Sequence, residues 1–173
     1  MPMPSTAPRP ELLHLSSDGR TPNNPLPVLL YRQLPLPDDR AEAFEGLFAS
    51  HLWPPRWRSV VYDYQHYHST AHEAIGVARG WARLLLGGEQ GREVRVQAGD
   101  ALVLPAGTGH CQLEASEDFL VVLAYPLEQE PDILRPDPAT HDAAQARIAK
   151  VLVPISDPLA GTQGALVDIW RGR

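Results

Sequence analysis

At 173 residues, 43% of them hydrophobic, with a net charge of −6, the chain can bury a core of its own, and it lacks the clustered Lys and Arg of a nucleic-acid surface. No apolar run approaches the roughly 20 residues of a membrane span, since Leu84-Leu85-Leu86 stops at Gly87, and Met1 to Pro10 has no signal-peptide core. The one cysteine, Cys111, allows neither an intramolecular disulfide nor a Cys-x-x-Cys metal knuckle, so cytoplasmic residence is expected and any metal must be held by His and carboxylate.

Residues 1–10 carry four prolines and read as a flexible tail, with residues 11–173 forming one domain. Leu12 to Leu15 is expected as a short edge strand, Ser16 to Pro27 as a turn-rich loop, and Val28 to Tyr31 as a short buried strand. A helix over about residues 38–52 opens on an Asp cap after Pro37 and ends at Trp53-Pro54-Pro55. Its Ala41, Phe44, Leu47, Phe48 and Leu52 share one face, which should pack on a sheet.

From Arg58 onward the period is two. Strands are predicted at Ser59 to His68, Glu73 to Val77, Trp81 to Leu86, Glu93 to Gln97, Ala101 to Leu104, His110 to Glu114 and Phe119 to Tyr125. Gly87-Gly88-Glu89-Gln90-Gly91 turns a hairpin between the third and fourth. Such a series predicts an antiparallel β-sandwich or barrel, with its core at about residues 58–126. Glu128 to Pro138 reads as a surface connection, Ala139 to Lys150 as a second helix, and Val151 to Val153 and Ala165 to Trp170 as late strands.

Two stretches carry the chemistry. His66 and His68 lie two apart, so on a strand both imidazoles point the same way, and Glu73 and His72 follow closely. His110 comes just after the Pro105-Ala106-Gly107 turn. Imidazoles and a carboxylate brought together from the two stretches suit a first-row transition metal. Glu73 is in phase with Ile75 and Val77, while His72 is in phase with Ala74 and Gly76, which favours Glu73 as the inward group. The residues alone leave open which of the two completes the site. Tyr62 and Tyr64 share the parity of His66, and Gln112 and Glu114 that of His110, so these four are candidate substrate or supporting contacts, as is His72.

With these residues the chain resembles the cupin family. His66, His68, Glu73 and Gly80 match the family's first motif, and Gly99, Pro105, Gly107 and His110 its second, with Trp81 to Ala98 between them. Val60 stands where the first motif opens with glycine, and Glu114 where the second ends in asparagine; neither position is a ligand in the family. The flanking stretches are similar to a small single-domain bacterial cupin group. The resemblance implies an all-β double-stranded β-helix, a jelly-roll barrel, with two peripheral α-helices. It also implies one divalent metal ion (Fe, Zn, Ni or Mn) on His66, His68, Glu73 and His110.

The function expected on that basis is metal-dependent chemistry on a small organic molecule, foremost an Fe(II) dioxygenase. Alternatives are a redox-neutral isomerase or lyase and a non-catalytic module that binds or senses a small metabolite. A small-molecule substrate is the expected partner, with no nucleic acid and no membrane. A homodimer is expected through Leu12 to Leu15 and Val28 to Tyr31.

Overall fold

The computed structural model describes residues 8–172, so most of the expected N-terminal tail, residues 1–7, lies outside the described residues. Among them the chain forms nine strands and three helices. In chain order these are β1 (Glu11–Leu15), β2 (Asn24–Tyr31), α1 (Arg40–Ser50), β3 (Pro55–Ser59), β4 (Glu73–Arg79), β5 (Trp81–Leu86), β6 (Arg92–Gln97), β7 (Ala101–Leu104), β8 (His110–Ala115), β9 (Leu120–Ala124), α2 (His141–Ile148) and α3 (Ala165–Arg171). One sheet runs β1-β2-β7-β4-β9-β3 and the other β6-β5-β8, with every pairing antiparallel.

Strand alternation splits the large sheet into two apolar faces. Val28, Leu30, Ile75, Leu102, Leu104 and Val121 pack against Ala82, Leu84, Leu86 and Val96 of the small sheet. Leu29, Ala74, Val103, Val122 and Ala124 face the other way, onto Phe44 and Phe48 of α1, Trp53, and Leu166 and Trp170 of α3. Two antiparallel sheets closed on one interior make an all-β jelly roll. Gly76 permits the close approach of α1, because a Cβ there would meet the Phe44 ring at 2.5 Å. The helix itself starts as its sequence predicts, with the Asp39 carboxylate accepting from the Glu42 N–H.

Four sequence expectations need correction. The predicted strand Ser59 to His68 is two pieces: β3 pairs with β9 in the large sheet, whereas residues 62–66 pair with β8 through Gln112 N–H to the Tyr62 carbonyl (2.8 Å) and mutual bonds between His66 and His110. The chain changes sheets at Val60-Val61, and one straight ladder cannot serve two sheets. Secondly, β2 begins at Asn24, inside the expected loop. Its Pro25 and Pro27 are tolerated because the β1–β2 register shifts between Leu13 and Leu15, where no ladder bond is required of them. With β1 on one side and β7 on the other, Val28 to Tyr31 has no free edge for a second copy.

Thirdly, Ala165 to Trp170 is helical, and Val151 to Val153 is no strand. Leu166, Val167 and Trp170 form one buried helical face. Asp157, fully buried, organises this end of the chain: its carboxylate accepts from the Tyr31 hydroxyl (2.8 Å), Leu159 N–H (2.7 Å), Ala160 N–H (3.2 Å) and Leu166 N–H (3.0 Å). Burial, together with the Asp157 carboxylate, pushes the Tyr31 hydroxyl well above its ordinary pKa. Fourthly, the barrel core extends past the expected 58–126, since β1, β2 and β3 belong to the large sheet. Among the described residues no helix is long and apolar enough to cross a membrane.

Asp157→Ala leaves four donors facing an apolar core and is expected to cost about 3 kcal/mol or more of stability. Urea unfolding against the parent checks this, and a loss below about 1 kcal/mol would contradict the anchoring role.

Candidate metal centre

Three imidazoles from two parts of the chain meet at one end of the barrel. His66 and His68 are delivered by the segment that crosses between sheets, and His110 opens β8. The ring centroids of His66 and His110 stand 4.0 Å apart, and those of His68 and His110 5.6 Å. One nitrogen from each ring lies within 4.8 Å of the others, and all three residues are buried. The turn before His110 needs glycine: Gly107 has φ +93°, and a Cβ there would strike the Asn23 carbonyl oxygen at 2.5 Å. Its N–H donates to the His68 carbonyl at 2.7 Å, which ties the two stretches together.

Each of the three rings presents Nδ1 to a backbone carbonyl: His66 to Tyr64 (3.1 Å), His68 to Asp132 (2.5 Å) and His110 to Thr108 (2.9 Å). A carbonyl only accepts, so Nδ1 carries the hydrogen and Nε2 is left with a lone pair in the neutral ring. Glu73 opens β4 with its side chain inward, as its phase with Ile75 predicts. Its Oε2 lies 3.1 Å from His68 Nε2 and its Oε1 3.2 Å from His110 Nε2. Acceptors therefore face acceptors in a buried space, an arrangement that a shared cation must relieve.

The electrostatics follow from that crowding. Burial alone would raise the Glu73 carboxyl, but the imidazoles of His68 and His110 hold it well below the ordinary carboxylate range. Burial would lower His68, yet the Glu73 carboxylate beside it keeps it above the ordinary imidazole value. A proton shared with Glu73 thus eases the contact at His68. His66 differs, because burial and the neighbouring His110 push it down to about 3. It is neutral near pH 7, in the form that ligates metal.

The other candidates are sorted by the fold. Tyr62 lines the cavity over the site and stands edge-on to His66, 5.0 Å between ring centroids. Tyr64 does not line it, and instead stacks on Tyr62 at 4.9 Å beneath the Arg135 guanidinium. Gln112 lies opposite the interior residue Leu84. Glu114 is turned out to solvent, paired with Arg83 at 3.0 Å, because a register shift between Arg83 and Leu84 resets the alternation along β8. His72 is buried on the outer face of the large sheet, accepting from Ala106 N–H at 2.9 Å with its ring 5.0 Å from that of Trp170. It is neither exposed nor beside the three imidazoles.

Two contributors were not anticipated. Tyr125 donates its hydroxyl to Glu73 Oε2 at 2.5 Å, and burial together with that carboxylate drives its pKa upward. Its phase with Val121 and Leu123, both interior, is a signal that could have found it. Residues 128–136, expected as a surface connection, instead strap the site. Asp132 gives its carbonyl to His68 and its carboxylate to the N–H and hydroxyl of Ser69, while Ile133 lines the cavity. That cavity measures about 250 Å3. A wider groove of about 810 Å3 runs past Leu127 and Leu152, and none of His66, His68, Glu73 or His110 lines it.

No family model matches the chain. The chain is 36% identical over 154 residues to the uncharacterized protein YjlB of Bacillus subtilis, across 88% of this chain and 92% of that one. Among solved structures, an oxalate decarboxylase from Bacillus subtilis overlaps 42% of this chain at 25% identity with a TM-score of 0.36, and this chain spans 20% of its length. The acireductone dioxygenase from Bacillus anthracis, solved with cadmium in its active centre, overlaps 64% of this chain and 56% of its own at 15% identity, TM-score 0.30. Procruciferin, an 11S globulin from Brassica napus, overlaps 69% of this chain and 30% of its own at 14% identity, TM-score 0.40.

Tyr125→Phe removes the donor that orients Glu73 and is expected to weaken zinc or cobalt binding about tenfold, measured by competition with a chromophoric chelator while the melting profile is retained. The histidine on the outer face gives a pH prediction. Burial lowers His72 from 6.5 to about 4, so the unfolded chain binds the extra proton first, and stability falls as pH drops from 6.5 through 4. His72→Gln keeps an acceptor for Ala106 and removes the titration, so its unfolding free energy should fall less steeply across that window by about 3 kcal/mol.

Proposed function

We propose that in this chain, which belongs to the family of YjlB from Bacillus subtilis, His66, His68, Glu73 and His110 hold one divalent transition metal and that the site acts on a small organic molecule. The observation that carries the reading is the set of three Nδ1–H to carbonyl bonds, which leaves the three Nε2 lone pairs gathered in one buried space, two of them, on His68 and His110, directly against the Glu73 carboxylate. A proton can relieve one such contact. A divalent cation relieves all of them, and the donor set of three imidazoles and one carboxylate suits Fe, Mn, Ni or Zn. The positions of the matching cupin motif residues agree with this ligand set, and residues 11–173 are read as one domain.

Such an ion takes up to about six donors, so four from the chain leave room for a substrate. It would supply Lewis acidity, or oxygen activation if it is iron. The chain's own residues orient and enclose: Tyr125 fixes Glu73, the Asp132 carbonyl fixes His68, and Ile133 and Tyr62 shield the site from solvent. The specific activity proposed is an iron-dependent dioxygenase.

Protein purified anaerobically without chelator is expected to carry about one metal per chain by elemental analysis, and the His66→Ala/His110→Ala variant to carry none. Iron with substrate-dependent oxygen uptake supports the dioxygenase. Zinc, nickel or manganese with turnover and no oxygen uptake replaces it by isomerase or lyase chemistry. A folded parent that retains no added metal after dialysis sinks the metal-site reading.

A further inference from the structure

The cavity above the three imidazoles is small and most of its wall is apolar. Its 250 Å3 falls just under the roughly 300–1,000 Å3 of ordinary small-molecule pockets. Trp57, Val61, Tyr62, Leu123 and Ile133 form much of the wall. Trp57 meets Tyr125 edge to face with ring centroids 5.9 Å apart. Trp57, Tyr62 and Ile133 are each about half exposed, so the apolar wall continues out to the mouth.

Charge restricts the occupant further. Two formally charged side chains line the cavity besides the histidines, Glu73 and Arg58. The Arg58 guanidinium is already held by both carboxylate oxygens of Glu45, at 3.0 and 2.7 Å. On the flanking segments Arg56 is likewise paired with Glu130, and Arg135 lies 4.2 Å over the Tyr64 ring. A divalent ion on three neutral imidazoles and one carboxylate leaves a single net positive charge at the floor. In an apolar enclosure that charge is best matched by a single negative charge on the ligand. A second negative charge would find no partner there, and a cation would be repelled. The several hydroxyls of a sugar would lose hydrogen bonds to water against the apolar part of this wall, where Ser59 and the two tyrosines offer few groups in replacement.

Resting on the metal-site reading above, we infer that the cavity selects a monoanionic oxygen chelator with a compact apolar or aromatic body, and that Trp57 and Tyr62 set the preference for that body. The class includes 2-oxo and 2-hydroxy monocarboxylates with an apolar side chain and singly ionised enediols or catechols. Phosphate esters, dicarboxylates and sugars fall outside it.

Hydroxamates test this, since one chelating head can carry different bodies. The full chain, loaded with redox-inert zinc, is titrated calorimetrically with acetohydroxamate, benzohydroxamate, 4-carbamoylbenzohydroxamate and 4-carboxybenzohydroxamate. Benzohydroxamate is expected to bind about tenfold tighter than acetohydroxamate. Trp57→Ala, at a half-exposed position, should narrow that gap about threefold, with the loss falling mainly on benzohydroxamate. The carbamoyl probe, equal in size to the carboxy probe but uncharged, should bind about tenfold tighter than it. Equal affinity for the aceto and benzo probes overturns the apolar selection, and equal affinity for the carbamoyl and carboxy probes overturns the charge rule. A chain that does not retain zinc fails earlier and differently, at the metal site itself.

Discussion

A carboxylate surrounded by imidazole lone pairs is the constraint on which the rest of the structure turns. Glu73 is almost wholly buried and touches the Nε2 atoms of His68 and His110. With each Nδ1–H committed to a backbone carbonyl, none of these atoms can donate to another while the rings are neutral. Burying four acceptors together is costly unless a cation is present.

The large sheet positions these groups through its two faces. Its strand β4 turns Glu73 into the barrel and the preceding His72 out toward Trp170 of α3, so neighbouring residues are buried for unrelated reasons. Inside, His72 would add a fourth imidazole; outside, it is a neutral core residue that links the Ala106 turn to the helical layer. The helices cover the outer face, and α2 reaches the site's surroundings through Arg147, which donates to Ser69 at 3.0 Å. Ser69 in turn holds Asp132, whose carbonyl orients His68. Packing on the outside of the barrel is thereby joined to the tautomer of a ring on the inside.

Period-two alternation made much of this legible in the residues. It placed the six strands β4 to β9, put Glu73 in phase with the interior and His72 out of it, and marked His66, His68 and His110 as one cluster. It failed wherever the alternation was reset. The bulge in β8 turned Glu114 outward, and the change of sheet at Val60-Val61 broke what reads as one continuous strand. It also could not separate a short apolar helix from a strand: six residues such as ALVDIW satisfy either period, and the Asp157 carboxylate on the Leu166 N–H favours the helix.

By itself the sequence determined the residue types available to the site, the all-β architecture and the inward set of ligand candidates, because these depend on local periodicity and on turns that only glycine or proline can make. The tertiary structure alone decided that Tyr125 anchors Glu73, that the Asp132 carbonyl holds His68, and that Ile133 joins the cavity wall. Those contacts join residues 52 and 64 positions apart in the chain. Their partners are a phenol and a backbone carbonyl, groups found throughout any sequence, so composition and spacing leave no trace of the pairing until the barrel closes and brings them together.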